Sequence, residues 1–402
     1  MKKLPANYYK PALQSMAVLP SLASPPSPSA FQRAMNIPLA RPDITDLECR
    51  YVLEVLATDE LSLGPKLVEF EKRLADYAGV KHAVAVNSGT SALHLIVKAL
   101  EIREGDEVIT TPFSFIASAN CILFERARPV FADIEPFTLN VDPDLVEKAI
   151  TPRTKAILAV DVFGHPAQWD RLLALAETHH LRLIEDAAEA IGSEYQGKRC
   201  GSFGDAAIFA FYPNKQITTG EGGVVLTSND TIAQLCRSMR NQGRSEGNGW
   251  LQHSRLGYNY RLSDINCALG IAQLERIEEI VRARERVAKL YNERLGELPQ
   301  VKVPHVAFGV KMSYFVYVIR LSDDYASEDR DRILRGLRAR GIGCSDYFTS
   351  IHLQPLYRDL GYCQGDFPAT EAVAARTIAL PFYNNLREEE IDYVVSRLKE
   401  LL

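Results

Sequence analysis

HAVAVNSGTSALHLIVKAL, residues 82–100, reads as a strand that passes through a short polar turn straight into a helix. Small and β-branched apolar residues come first, Asn87-Ser88-Gly89-Thr90-Ser91 interrupts them, and a helical pattern follows from about Thr90. The same unit recurs downstream. EVIT (107–110) precedes ASANCILFER (117–126), PVFADI (129–134) precedes PDLVEKAI (143–150), AILAVDVF (156–163) precedes QWDRLLALAETH (168–179), and LRLIED (181–186) follows. Strands alternating with helices specify a mainly parallel central sheet flanked by helices, an α/β fold. Beyond residue 264 helices outnumber strands, the longest pattern running from Asp264 to Leu298 with breaks. SYFVYVIRL (313–321) and the segment around GIGCSDYF (341–348) are the strand candidates there, and DRDRILRGLRARG reads as a helix ending at Gly341. The organisation expected is a large domain over residues 37–254 and a smaller α/β C-terminal domain over 255–402.

Composition narrows the function. At 402 residues the chain exceeds the size of one growing core, and 47% apolar, 24% charged and 9% aromatic residues are those of an ordinary globular protein. A net charge of −5 supplies no basic field for nucleic acid or anionic lipid. Seven scattered cysteines with no CxxC spacing fit a reducing, cytoplasmic compartment and suggest no metal site. Residues 1–36 carry a Pro/Ser-rich extension whose apolar run is cut by Pro20, which reads as disordered, not as a leader, and no uninterrupted apolar stretch is long enough to span a bilayer.

Open α/β sheets bind ligands beyond the carboxyl ends of their strands, and three such ends carry chemistry here. Gly89, Thr90 and Ser91 open a helix whose free amides and dipole suit a phosphate, although Ser and Thr at such a place are also ordinary N-caps. Glu185 and Asp186 close an apolar strand, where buried carboxylates need a cationic or hydrogen-bonding partner, with Glu189 three residues on from Asp186; a capping acid pair fits the same letters. The third end is FAFYPNKQITTGEGGVVLTS (209–228), which sets Lys215 between apolar runs beside a glycine-rich turn. A lysine desolvated in an apolar cleft becomes a nucleophile able to form a Schiff base, whereas most lysines lie at the surface. Together the three are what pyridoxal 5'-phosphate requires: a lysine for the aldehyde, an aspartate for the ring nitrogen and a helix start for the phosphate.

At these residues the chain resembles the DegT-type nucleotide-sugar aminotransferases, within the aspartate-aminotransferase-like fold-type I class. The resemblance rests on LSLGPKLVEFEK (61–72), NSGTSALHL (87–95), TTPFSFIASAN (110–120), TLNVDP (138–143), EDAAEAIGS (185–193), FYPNKQITTGEGG (211–223), RNQGR (240–244), LGYNYRLSDINCALG (256–270) and IHLQP (351–355), and extends from residue 38 to the C-terminus. It implies that Lys215 is the catalytic Schiff-base residue, that Asp186 pairs with the ring nitrogen, that Glu189 meets the ring hydroxyl, that Phe115 stacks on the ring, and that Gly89 and Thr90 hold the phosphate. It further implies a homodimer in which Asn259 and Arg261 reach the neighbouring subunit's site. The activity implied is transfer of an amino group from L-glutamate to a nucleotide-linked keto-deoxysugar, most commonly a 4-keto-6-deoxyhexose, in amino-sugar and polysaccharide biosynthesis. A cyclic ketone without a nucleotide, such as an inosose, or a silent regulatory homologue are the alternatives. His165, Tyr347, Phe348 and His352 are substrate-cleft candidates. Two positions depart from the family pattern: Ala210 replaces a serine five residues before the lysine, and Asp161 stands where many members have histidine.

Overall fold

The central sheet is built from the strand–turn–helix units themselves. A computed structural model describes residues 36–244 and 252–402; the extension expected at the N-terminus lies, but for Asn36, outside them. In chain order the strands are β1 (His82–Val86), β2 (Glu107–Thr110), β3 (Arg128–Phe131), β4 (Thr154–Val160), β5 (Arg182–Asp186), β6 (Glu194–Tyr195), β7 (Lys198–Arg199), β8 (Ala206–Ala210), β9 (Gly223–Thr227), β10 (Val301–Lys302), β11 (Val310–Lys311), β12 (Tyr317–Leu321) and β13 (Thr377–Leu380). Seven of them form one sheet in the order β1-β9-β8-β5-β4-β2-β3. Pairings from β3 through β8 are parallel, and β9 runs antiparallel to both neighbours. Strands buried on both faces read as unbroken apolar runs, which is why β4 and β9 are almost wholly buried. One apolar cluster fills each face of this sheet.

A second sheet, β10-β12-β13, is antiparallel and carries its own apolar cluster. The helical pattern from Asp264 resolves into helices Asp264–Glu275 and Ile277–Leu295, parted at Arg276. The second of these gives Ile277, Ile280 and Val281 to the large sheet's cluster, and Val287, Tyr291 and Leu295 to the small sheet's. The segment around GIGCSDYF is not a strand: it makes only isolated bridges at Ile342 and Ser345. Glycine explains this, since a Cβ on Gly343 would lie 2.4 Å from the Leu39 amide nitrogen and Gly341 holds φ +74°. No helix among the described residues is long and apolar enough to cross a membrane.

Candidate active site

The carboxyl ends of β5 and β8 and the start of helix Gly89–Ala99 surround a cavity of about 710 Å³. Gly89, Thr90, Phe115, Asp186, Glu189, Lys215 and Tyr347, all singled out from the sequence, line it together. Ser88 caps the helix by accepting the Ser91 amide at 3.1 Å, leaving the Gly89 and Thr90 amides without intrahelical acceptors. The fit is tight, because a Cβ on Gly89 would come within 2.8 Å of Ala210 Cβ, and one on Gly223 within 2.5 Å of the Ser88 carbonyl carbon. Ser91 itself turns into the cap, donating to Asn87 Oδ1 at 2.7 Å, and does not line the cavity.

Asp186 ends β5 and is 3% exposed. Ser118 Oγ donates to its Oδ2 at 2.8 Å and the Ala188 amide to Oδ1 at 3.2 Å, yet among the described residues no cation forms an ion pair with it. Burial pushes its carboxyl above the usual range, against the pull of Ser118, Ala188 and Lys215. Glu189 accepts the Phe163 amide at 2.9 Å and Lys215 Nζ at 3.3 Å, and its carboxyl too is raised by burial. Lys215 Nζ also lies 3.9 Å from the centroid of the Phe315 ring, a cation–π contact.

Other candidates lie elsewhere. His352 is 0% exposed, its Nε2 3.0 Å from Glu371 Oε1, so it is packed behind the cavity, unlike its neighbours Ile351 and Gln354. His165 lines a separate cavity; its Nδ1 donates to the Pro166 carbonyl at 2.8 Å and its Nε2 accepts the Ala307 amide at 3.2 Å. Asn259 is exposed, Arg261 donates to Asn241 Oδ1 at 3.1 Å, and neither lines the cavity of its own chain. Ser118, Asn214 and Phe315 were not found from the sequence. Ser118 follows Ser114 by one helical turn in SFIAS, the one local sign of its role; Phe315 arrives from a distant strand approach.

Asp161 is fully buried on the other side of β5, with its Oδ1 accepting the Ala167 amide at 2.8 Å and the Trp169 indole at 3.0 Å. Candidate ligand atoms of Asp161, Glu185 and Cys200 lie within 4.8 Å of one another, and Glu185 accepts the Gly201 and Phe203 amides at 2.7 Å each. Burial pushes the Asp161 carboxyl up to about 7 and holds Glu185 well above the carboxylate range, so the folded pair holds a shared proton far more firmly than free carboxylates would. Because the folded pair binds that proton more firmly than the unfolded chain, its contribution is complete below about pH 4 and is lost as pH rises through about 7 and beyond. Asp161→Asn replaces the shared proton with a fixed amide donor. Its thermal midpoint therefore declines less than that of the wild type between about pH 5 and 8, a difference bounded by roughly 1.4 kcal/mol per pH unit for one proton. Parallel declines would contradict the shared proton.

Two features of the cavity fit pyridoxal phosphate. The buried Asp186 carboxylate, without an ion-pair partner among the described residues, suits a protonated ring nitrogen. Asn214 Oδ1 is buried on the cavity wall with no hydrogen-bond partner, the sign of a polar group awaiting a donor.

A sequence profile of the DegT/DnrJ/EryC1/StrS aminotransferase family matches residues 42–399. GDP-perosamine synthase of Caulobacter vibrioides is 42% identical over 369 residues, spanning 91% of this chain and 98% of that protein. Spore coat polysaccharide biosynthesis protein SpsC of Bacillus subtilis is 36% identical over 377 residues, spanning 91% and 97%. The structure of Helicobacter pylori PseC, an aminotransferase involved in the biosynthesis of pseudoaminic acid, superposes with a TM-score of 0.87 at 31% identity, covering 91% of this chain and 99% of that one.

Proposed function

Because the chain belongs to the DegT/DnrJ/EryC1/StrS aminotransferase family, and so is a pyridoxal phosphate-dependent sugar aminotransferase, we propose that it moves an amino group from L-glutamate to a nucleotide-linked keto-deoxysugar, a 4-keto-6-deoxyhexose. The observation that carries the reading is the single cavity in which Lys215 stands between Glu189 and Phe315 beside the buried Asp186. Relatives named GDP-perosamine synthase support a nucleotide-linked sugar.

When bound, pyridoxal phosphate supplies an aldehyde for amine exchange and a protonated ring that withdraws electrons from the substrate's α-carbon. Gly89 and Thr90 would hold its phosphate, Asp186 its ring nitrogen, Glu189 its hydroxyl, and Phe115 one ring face. Lys215 would hold the aldehyde through Nζ, and the same amine would serve as the base for the substrate's α-proton. Glu189 and Phe315 hold its Nζ by an ion pair and a ring face, which keeps the amine directed into the cavity. Donor and acceptor use the same cavity in turn, and Tyr347 lines the part of it where a sugar would lie. Seven free cysteines accord with work in the reducing cytoplasm. The test is to supply L-glutamate with a nucleotide-linked 4-keto-6-deoxyhexose or with an inosose, and to follow 2-oxoglutarate. Turnover with the nucleotide sugar supports the reading; turnover with the inosose alone sinks it.

The enzyme works as a homodimer in this reading, with Asn259 and Arg261 serving the neighbouring subunit's site. Phe115, Tyr212 and Leu256, exposed apolar residues, would be covered at that interface. Mixing inactive Lys215→Ala with inactive Arg261→Ala subunits then creates heterodimers with one intact site. Random exchange of equal amounts restores about a quarter of wild-type activity. No recovery, with mixed dimers shown by native mass spectrometry, would place Arg261 in its own subunit's site.

A further inference from the structure

The small sheet sets two cations directly opposite one another, and one of them forms no ion pair among the described residues. In its register Lys302 of β10 lies opposite Arg320 of β12, and Arg320 opposite Thr377 of β13, so the three side chains share one face. Like charges directly opposite one another destabilise a strand pair. Lys302 is relieved at the rim by Asp323, 3.1 Å away. Arg320 is not: it donates to the Pro136 carbonyl at 2.6 Å and forms no ion pair among the described residues. Glu135, the acid just before the Pro136 wall, is committed to the Phe137 and Thr138 amides at 2.7–3.1 Å. Thr377 is 0% exposed and its Oγ1 has no hydrogen-bond partner.

All three residues line a cavity of about 380 Å³ that no step of the reaction uses, a volume in the range of small-molecule sites. Among the described residues no carboxylate lines it, and His165 and His305 stand on its other walls among apolar side chains that include Phe137 and Met312. A half-buried guanidinium and an unpaired buried hydroxyl side by side are costly unless an acceptor joins them.

We propose that this crevice is a second ligand site, which takes a small organic anion, a carboxylate or phosphate monoester with an apolar body, on Arg320 and Thr377. The anion would bridge the loop at 136–139 and the small sheet, apart from the Lys215 cavity. Calorimetric titration of the full-length holoenzyme, its cofactor site filled, with phenyl phosphate and with phenylacetate tests this. At least one probe binds saturably to the wild type, and the tighter of the two identifies phosphate or carboxylate as the recognised group. Arg320→Gln weakens that binding by about tenfold or more and Thr377→Val by several-fold, as expected for loss of a charged and a neutral donor. Absence of binding by both probes, or affinity unchanged in either variant, would overturn the proposal.

Discussion

Lys215→Ala lowers the turnover number by about 10⁴-fold, the scale set by losing a nucleophile and a proton carrier held in one side chain. Among the described residues no other lysine and no histidine lines the cavity, so none of them can replace Nζ at the aldehyde or at the α-carbon. The protein should nevertheless fold, because the substitution removes only the 3.3 Å ion pair with Glu189 and the contact with the Phe315 ring. The check is the steady-state rate of 2-oxoglutarate formation together with a thermal melt. A folded variant retaining a tenth or more of the activity would show that Lys215 is not the reacting amine.

Asp186→Asn is expected to reduce turnover by about 10²–10³-fold and to loosen cofactor binding, although the replacement is almost isosteric. Its amide oxygen can still accept the Ala188 amide, and the Ser118 hydroxyl can turn to accept from the new amide nitrogen, so both contacts that hold the two oxygens of the present side chain, at 3.2 and 2.8 Å, have a counterpart. What disappears is the negative charge, the only feature of Asp186 that keeps a ring nitrogen protonated inside so buried a site. Turnover and cofactor affinity, the latter from equilibrium dialysis, should fall together. Wild-type values for both would mean that the carboxylate is structural.

The sheet was legible because parallel strands buried on both faces spell continuous apolar runs, and the site followed from it: Gly89, Asp186 and Lys215 each come just beyond or at the end of such a run. Features made by distant segments were not legible. Nothing near Asp186 announces Ser118, 68 positions earlier, and nothing near Lys215 announces Phe315. His352 shows the reverse failure, since a 3₁₀ turn over Ile351–Leu353 presents its neighbour to the cavity and turns the imidazole back to Glu371. Asp161, which stands where many family members have histidine, spends its carboxylate inside, on the turn that carries Ala167 and Trp169. The segment around GIGCSDYF read as a strand candidate, but Gly343 there serves close packing against the chain at Pro38–Leu39.

The most direct test of the account is the visible absorbance of the purified holoenzyme mixed with L-glutamate and no acceptor. The account predicts loss of the band of the lysine-bound cofactor with stoichiometric release of 2-oxoglutarate, and return of that band when a nucleotide-linked 4-keto-6-deoxyhexose is added. A spectrum that glutamate leaves unchanged, with no 2-oxoglutarate formed, would contradict it.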